Sequence, residues 1–176
     1  MGDNIFLKNS KKPELSDYMN FNVQGRGNLG DDIPLAVYRL MEFSLREQLM
    51  EQLGSEEQIQ IFRKAGYRAG VYFAENMLDT SLSLNEFIAG LQRRMEELKI
   101  GVLRVEKLDK ETGKIVLTVS ADCSGLPLLG ETVCNYDEGF ISGILSAYMG
   151  KEYSAVEIDC WATGDRVCRF SAGPEE

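Results

Sequence analysis

The chain contains no histidine. That absence removes every mechanism built on imidazole: a Ser-His-Asp or Cys-His nucleophile, an HExxH metalloprotease site, and haem held by an axial histidine. A metal ion would have to rest on cysteine and carboxylate groups. Basic residues are also scarce, with 19 Lys and Arg against 28 Asp and Glu, for a net charge of −9. A surface of that sign argues against nonspecific binding to nucleic acid or anionic membrane. No apolar run approaches the roughly 18 residues of a membrane span. The start, "MGDNIFLKNSKK", lacks the apolar core of a secretory signal. Phe6 stands where a myristoylation motif wants Ser or Thr. Together these absences predict a cytoplasmic protein whose thiols stay reduced.

What remains is a soluble, globular composition: 176 residues, 44% hydrophobic and 27% charged, enough for one domain with a full core. Residues 1–32 are polar and glycine-rich and read as an N-terminal arm. The string "GRGNLG" (Gly25–Gly30) has no strand before it and reads as loop rather than as a dinucleotide site. "PLAVYRLMEFSLREQLMEQLG" places apolar residues at helical spacing, with Asp31 or Asp32 as cap and Gly54 as stop. A second helix follows, capped by Ser55. It carries the small residues Ala65, Gly66, Ala69 and Gly70, which predict either a close helix crossing or a ligand on the glycine face. "SLSLNEFIAGLQRRMEELKIG" is a third helix. "GVLRVEKLDKETGKIVLTVSADC" is a β-hairpin turning at "DKETGK". "DEGFISGILSAYMG" is a short helix closed by Gly150, and "YSAVEIDCWA" and "RVCRF" form a last hairpin about "TGD". Helices, two strands, a helix and two strands make an α+β fold with an antiparallel sheet of about four strands.

The last hairpin holds Cys160 and Cys168. A three-residue loop, Thr163-Gly164-Asp165, pairs them across the strands and puts both sulfurs on one face. Their spacing is open to three readings: a metal site, buried structural thiols, or a disulfide. Cys134, Cys123, Glu157 and Asp159 are the further donors available. Glu157 lies three residues before Cys160, so in a regular strand the two point to opposite faces. Glu157 joins the cysteines only if the strand bulges near Ile158 or Asp159.

The segment "VCNYDEGFISGILSAYMGKEYSAVEIDCWATGDRVCRF" resembles the C-terminal signature of the vinyl-4-reductase domain family. "PLAVYRLM" and the glycine-bearing second helix resemble its N-terminal half. The resemblance runs over about residues 33–172, leaving 173–176 as a tail. The family includes hydrocarbon-binding proteins, proteins of chlorophyll vinyl reduction and the aromatic-sensing domains of phenol-responsive activators. Its fold is shared with vesicle-tethering subunits. In the aromatic sensors a structural zinc is held with spacing C-x22-E-x2-C-x7-C, and Cys134, Glu157, Cys160 and Cys168 reproduce it in full. The resemblance thus implies a closed zinc site of these four residues, with a four-cysteine site using Cys123 as the alternative. It implies a ligand pocket for a hydrophobic or aromatic molecule, for which Tyr38, Phe62, Tyr67, Phe73, Phe87 and Trp161 are candidates. It also implies a homodimer, with the arm as an exchanged element. The sensors grip phenol through a His and a Trp, so without His that form of recognition is not supported. With a closed metal site and no cofactor motif, the reading that follows is a ligand-binding regulatory domain acting in trans rather than an enzyme. An adaptor without ligand, or an accessory protein of tetrapyrrole vinyl reduction, are the alternatives.

Overall fold

A computed structural model describes residues 14–19, 32–120 and 123–175. Most of the arm expected over residues 1–32 therefore lies outside the described residues. The chain divides into two compact units, Met1–Tyr38 and Arg39–Glu176. The first contains a single helical turn, α1 (Leu15–Tyr18), closed by reciprocal hydrogen bonds between Glu14 and Asp17, and the first turn of α2 (Leu35–Leu53).

The second unit holds the remainder of α2, then α3 (Ser55–Met77), α4 (Leu84–Glu97), β1 (Val102–Leu108), β2 (Ile115–Ser120), α5 (Asn135–Met149), β3 (Tyr153–Asp159) and β4 (Cys168–Pro174). The four strands form one antiparallel sheet in the order β1-β2-β4-β3, as the sequence predicts. Strand β4 runs two residues past the boundary expected at 172. Gly54, not Ser55, is the N-cap of α3. The capping box expected by general rule appears instead at α4, where Ser83 and Glu86 satisfy each other's orphan amides. Among the described residues, no helix is long and apolar enough to cross a membrane.

Alternation along each strand builds the core. Ile115, Leu117 and Val119 of β2, Cys168, Phe170 and Ala172 of β4, and Tyr153 and Ala155 of β3 face inward and are buried. Helix α5 covers β3 and β4, α4 covers β1, and α3 lies on α5. Helix α5 meets three neighbours with three different stripes. Ile141, Ile144 and Leu145 are buried in the core. Gly139 and Gly143 meet the backbone of α3 at Arg63 and Tyr67, and Gly66 and Gly70 of α3 meet the backbone of α5 at Tyr136 and Phe140. A methyl at any of these four positions would fall inside the van der Waals contact of a carbonyl oxygen. The glycine face of α3 is therefore filled by a helix, which settles the first of its two sequence readings.

The third stripe is polar. β3 is an edge strand, and edge strands leave a row of backbone amides unpaired. Here Ser146 Oγ accepts the N–H of Tyr153 (2.8 Å), Ser142 Oγ that of Ala155 (2.9 Å), and Glu138 Oε1 that of Glu157 (2.9 Å). The three acceptors sit at i, i+4 and i+8 on α5, one helical row against alternate residues of one strand. All three are buried, and this row explains why so polar a set stands inside the protein.

Candidate metal centre

The expected register of the last hairpin is not the one that forms. β3 and β4 are joined by residues 160–167, which include a 3-10 turn over Trp161–Thr163, and Asp159 pairs with Arg169. Cys160 and Cys168 are thus not a cross-strand pair. Gly164 still marks the turn, with φ of 107° at its left-handed position. The chain tightens around Asp165, whose carboxylate accepts from the Cys160 amide (3.2 Å) and from Thr163 Oγ1 (2.9 Å). Local hydrogen bonding of the Asx type outcompetes the strand ladder at this point.

The strand does bulge where Glu157 requires it. The β3–β4 register shifts between Glu157 and Asp159, leaving Ile158 as the extra residue with its side chain in solvent. Glu157 keeps the inward alternation of Tyr153 and Ala155, and Cys160 arrives on the same side and is fully buried. Cys134 is the N-cap of α5 and is held on both flanks by Arg46, whose guanidinium donates to the Val133 carbonyl and to Asn135 Oδ1 (3.0 Å). Arg46 also stacks on Phe62, 4.7 Å from the ring centre.

Four sulfurs meet here. Cys134 Sγ lies 2.9 Å from Cys123 Sγ, 3.5 Å from Cys168 Sγ and 4.0 Å from Cys160 Sγ, and all four lie within 4.8 Å of one another. All four are free thiols, so no disulfide joins Cys160 and Cys168. A tetrahedral zinc with Zn–S of about 2.3 Å would need sulfurs about 3.8 Å apart, and the observed separations bracket that edge. Glu157 Oε2 accepts from the Cys134 amide at 3.3 Å, while its buried Oε1 has no partner. A buried carboxylate oxygen left unmatched beside a cluster of thiols is costly unless a cation completes it. The donor set fits a thiophilic metal ion.

The electrostatics agree. Burial lifts the Glu157 carboxyl from its ordinary range to about 7. Cys160 is pushed up to about 11, again chiefly by burial. Hydrogen bonds from Cys123 and Cys134 hold the Cys168 thiol far below its usual value, and the same contacts hold Cys134 far above it. One thiolate among several thiols is what such a cluster maintains without a cation, and an ion would release the remaining protons.

Cys134, Glu157, Cys160 and Cys168 are thus brought together as the spacing implies, and Cys123 is added to them. No motif spacing flags Cys123, because it follows β2 and reaches the centre only through the sheet order. Asp159 points the other way and, with Glu106 (2.8 Å), pairs with Arg169 on the far side of the sheet. Arg169 therefore does not compensate the centre, and Arg166 is solvent-exposed.

The six aromatic candidates do not surround one cavity. Phe73 and Phe87 are core residues, with Phe87 stacked on Tyr148 at 3.9 Å. Trp161 packs partly buried against that core, and Phe62 is buried beneath Arg46. Tyr38 belongs to the Met1–Tyr38 unit. Tyr67 lines a groove of about 430 Å³ between α3, α5 and β3, whose other walls include Arg63, Lys64, Glu138 and Glu152.

The half of the chain that builds this centre is also the half that matches a known family, over residues 115–174. The chain carries a vinyl-4-reductase domain. The matched residues run from the first residue of β2 to the last of β4, so they contain Cys123 and all four motif donors. An uncharacterised protein of Methanocaldococcus jannaschii is 24% identical over 168 residues, 96% of this chain and 91% of that one. The fold matches the phenol-responsive sensory domain of the transcription activator PoxR, solved with phenol, at a TM-score of 0.63 and 19% identity, over 85% of this chain and 78% of that one. It also matches trafficking protein particle complex subunit 3 from Naegleria fowleri, solved covalently bound to palmitic acid. There the TM-score is 0.58 and the identity 12%, over 81% of this chain and 95% of that one.

Proposed function

We propose that this vinyl-4-reductase-domain chain is a cytoplasmic, zinc-clamped sensor of a hydrophobic or aromatic small molecule, acting on a partner in trans. The observation that carries the reading is the convergence of buried thiols and the unmatched Glu157 oxygen on one point, in a fold shared with a phenol-sensing domain. Cys134, Glu157, Cys160 and Cys168 hold zinc. Three thiolates and a carboxylate fill a tetrahedral shell, so the ion fastens the β3–β4 connection to the start of α5 and does no chemistry. Nothing in that arrangement calls for an enzyme.

The ligand enters the apolar layer around Phe73, Phe87 and Trp161, which parts to admit it. Trp161 follows the donor Cys160, so a ligand that moves this layer also moves the clamped segment. The domain extends over residues 33–172, and the protein acts as a homodimer in which the arm over residues 1–32 takes part. α2 supports that assembly, because none of its residues is buried while Leu40, Met41, Leu45, Met50 and Leu53 are all exposed.

Elemental analysis and ligand titration test the two halves. We expect about one zinc per purified chain, lost in Cys160→Ser and weakened in Glu157→Ala. Trp161 is the only tryptophan, so its fluorescence reports the layer directly. Aromatic hydrocarbons or fatty acids should change that emission and raise Tm. Zinc without any response to such compounds would favour the second reading, an assembly adaptor, which the tight packing of Phe87 on Tyr148 supports.

A further inference from the structure

Glu138 is one of the most deeply buried side chains in the protein, yet it is not among the donors around the sulfurs. Both its oxygens are engaged from outside the centre. Oε2 accepts from Arg63 Nε (2.6 Å) and from Asn135 Nδ2 (3.4 Å), and Oε1 accepts the backbone N–H of Glu157 (2.9 Å). Two serines on the same helical row do the equivalent work for Ala155 and Tyr153. A hydroxyl therefore suffices where the need is only to satisfy an edge amide. A buried carboxylate costs far more and has to be matched by Arg63. That cost falls at one residue, Glu157, where β3 leaves its regular register. The longer side chain lets α5 hold the strand at its bulge.

The centre offers five protein donors to an ion that takes four. Cys123 Sγ and the Glu157 carboxylate both approach Cys134, the first at its sulfur (2.9 Å) and the second at its amide (3.3 Å). Something must decide which completes the shell. We propose that Glu138 is the positioning residue that makes this choice: by holding the Glu157 backbone at the bulge, it keeps the Glu157 carboxylate at the metal and Cys123 outside the shell. The proposal rests on the metal-centre reading above. Released from Glu138, the strand would draw Glu157 away and Cys123 would supply a fourth thiolate.

Cobalt(II) is a suitable probe, because the intensity of its sulfur-to-metal charge-transfer band follows the number of thiolates bound. The metal-free full chain is titrated with Co²⁺, and affinity is read by chelator competition. The wild type should bind one ion with a three-thiolate spectrum. Glu138→Asp keeps the charge but not the reach, so its band per cobalt should grow by about a third, the step from three thiolates to four. Adding Cys123→Ser to that variant should return the band to its three-thiolate height and weaken binding by about 10-fold or more. Glu138→Gln keeps an acceptor oxygen and should retain the wild-type spectrum. Ser142→Ala removes a bond of the same kind one step along the row, so it should lower Tm and leave the spectrum unchanged. That contrast separates positioning from general support of the strand. If Glu138→Asp does not fold, Arg63→Ala, on a partly exposed side chain, should shift the spectrum in the same direction by less. A wild-type spectrum in Glu138→Asp, or in Arg63→Ala where that serves instead, overturns the proposal and leaves the metal centre standing. A four-thiolate spectrum in the wild type overturns it as well. No cobalt bound by the wild type defeats the metal-centre reading itself.

Discussion

Glu157 concentrates the chemistry of the centre in one carboxyl group. Burial raises it to about 7, against a value of 4.5 in the unfolded chain. The folded, metal-free protein therefore holds this proton more tightly than the unfolded chain does. Its contribution to stability is complete below about pH 4.5 and is lost as pH rises through about 7. The Cys168 thiol, held low, acts in the opposite sense through the same window. A comparison with Glu157→Gln isolates the carboxyl: with chelator present, the Tm of wild type relative to the variant should fall between about pH 5 and pH 8. Thermal melts across that range check the sign, and a flat difference would mean that Glu157 is not buried as described. With metal the order reverses, because the ion competes with the proton, so affinity should climb as pH rises through about 7. The identity of this donor was legible from spacing. Its access to the sulfurs was not, since that depends on where β3 gives up its register.

At the scale of elements, α3 and α5 cross through glycine on both sides. The four contacts are backbone to backbone, so a methyl has nothing flexible to displace. Gly143→Ala should destabilise the protein by about 3 kcal/mol, or roughly 6–12 °C in Tm. Gly90 on α4 has open space around it, so Gly90→Ala should be neutral or slightly stabilising. Differential scanning calorimetry of the pair tests whether close approach, rather than helix propensity, explains the glycines. The helices and hairpins were readable because apolar period and turn residues are local. The β3–β4 connection was misjudged for a local reason too: Asp165 and Thr163 offer the chain more hydrogen bonds in a 3-10 turn than a short hairpin loop would. The row Glu138, Ser142 and Ser146 stood in plain view at helical spacing. Nothing in the sequence says that an edge strand would lie beside it.

For the whole molecule, the centre joins three segments far apart in the chain: Cys123 and Cys134 before α5, Glu157 on β3, and Cys160 and Cys168 around the last turn. Removing a bound metal with a chelator should cost at least about 3 kcal/mol, lowering Tm by about 6 °C or more. A Tm indifferent to chelation would argue for buried thiols alone. α2 bears on assembly. Placing charge on its exposed apolar surface, as in Leu45→Glu, should shift a dimer to monomer in sedimentation or light scattering without lowering helix content. A wild type that is already monomeric at high concentration would defeat the homodimer.

The sequence by itself determined the secondary elements, the α+β class, the exclusion of imidazole chemistry and four of the five donors. These follow from period, composition and spacing, which act within a few residues or survive as a motif. Only the tertiary structure decided that Cys123 stands among the sulfurs, that α2 buries none of its apolar residues, and that a helix satisfies the edge of the sheet through Glu138. Each of these depends on which strand lies beside which helix. That is settled by the burial of surfaces distant in the chain, and no local pattern encodes it.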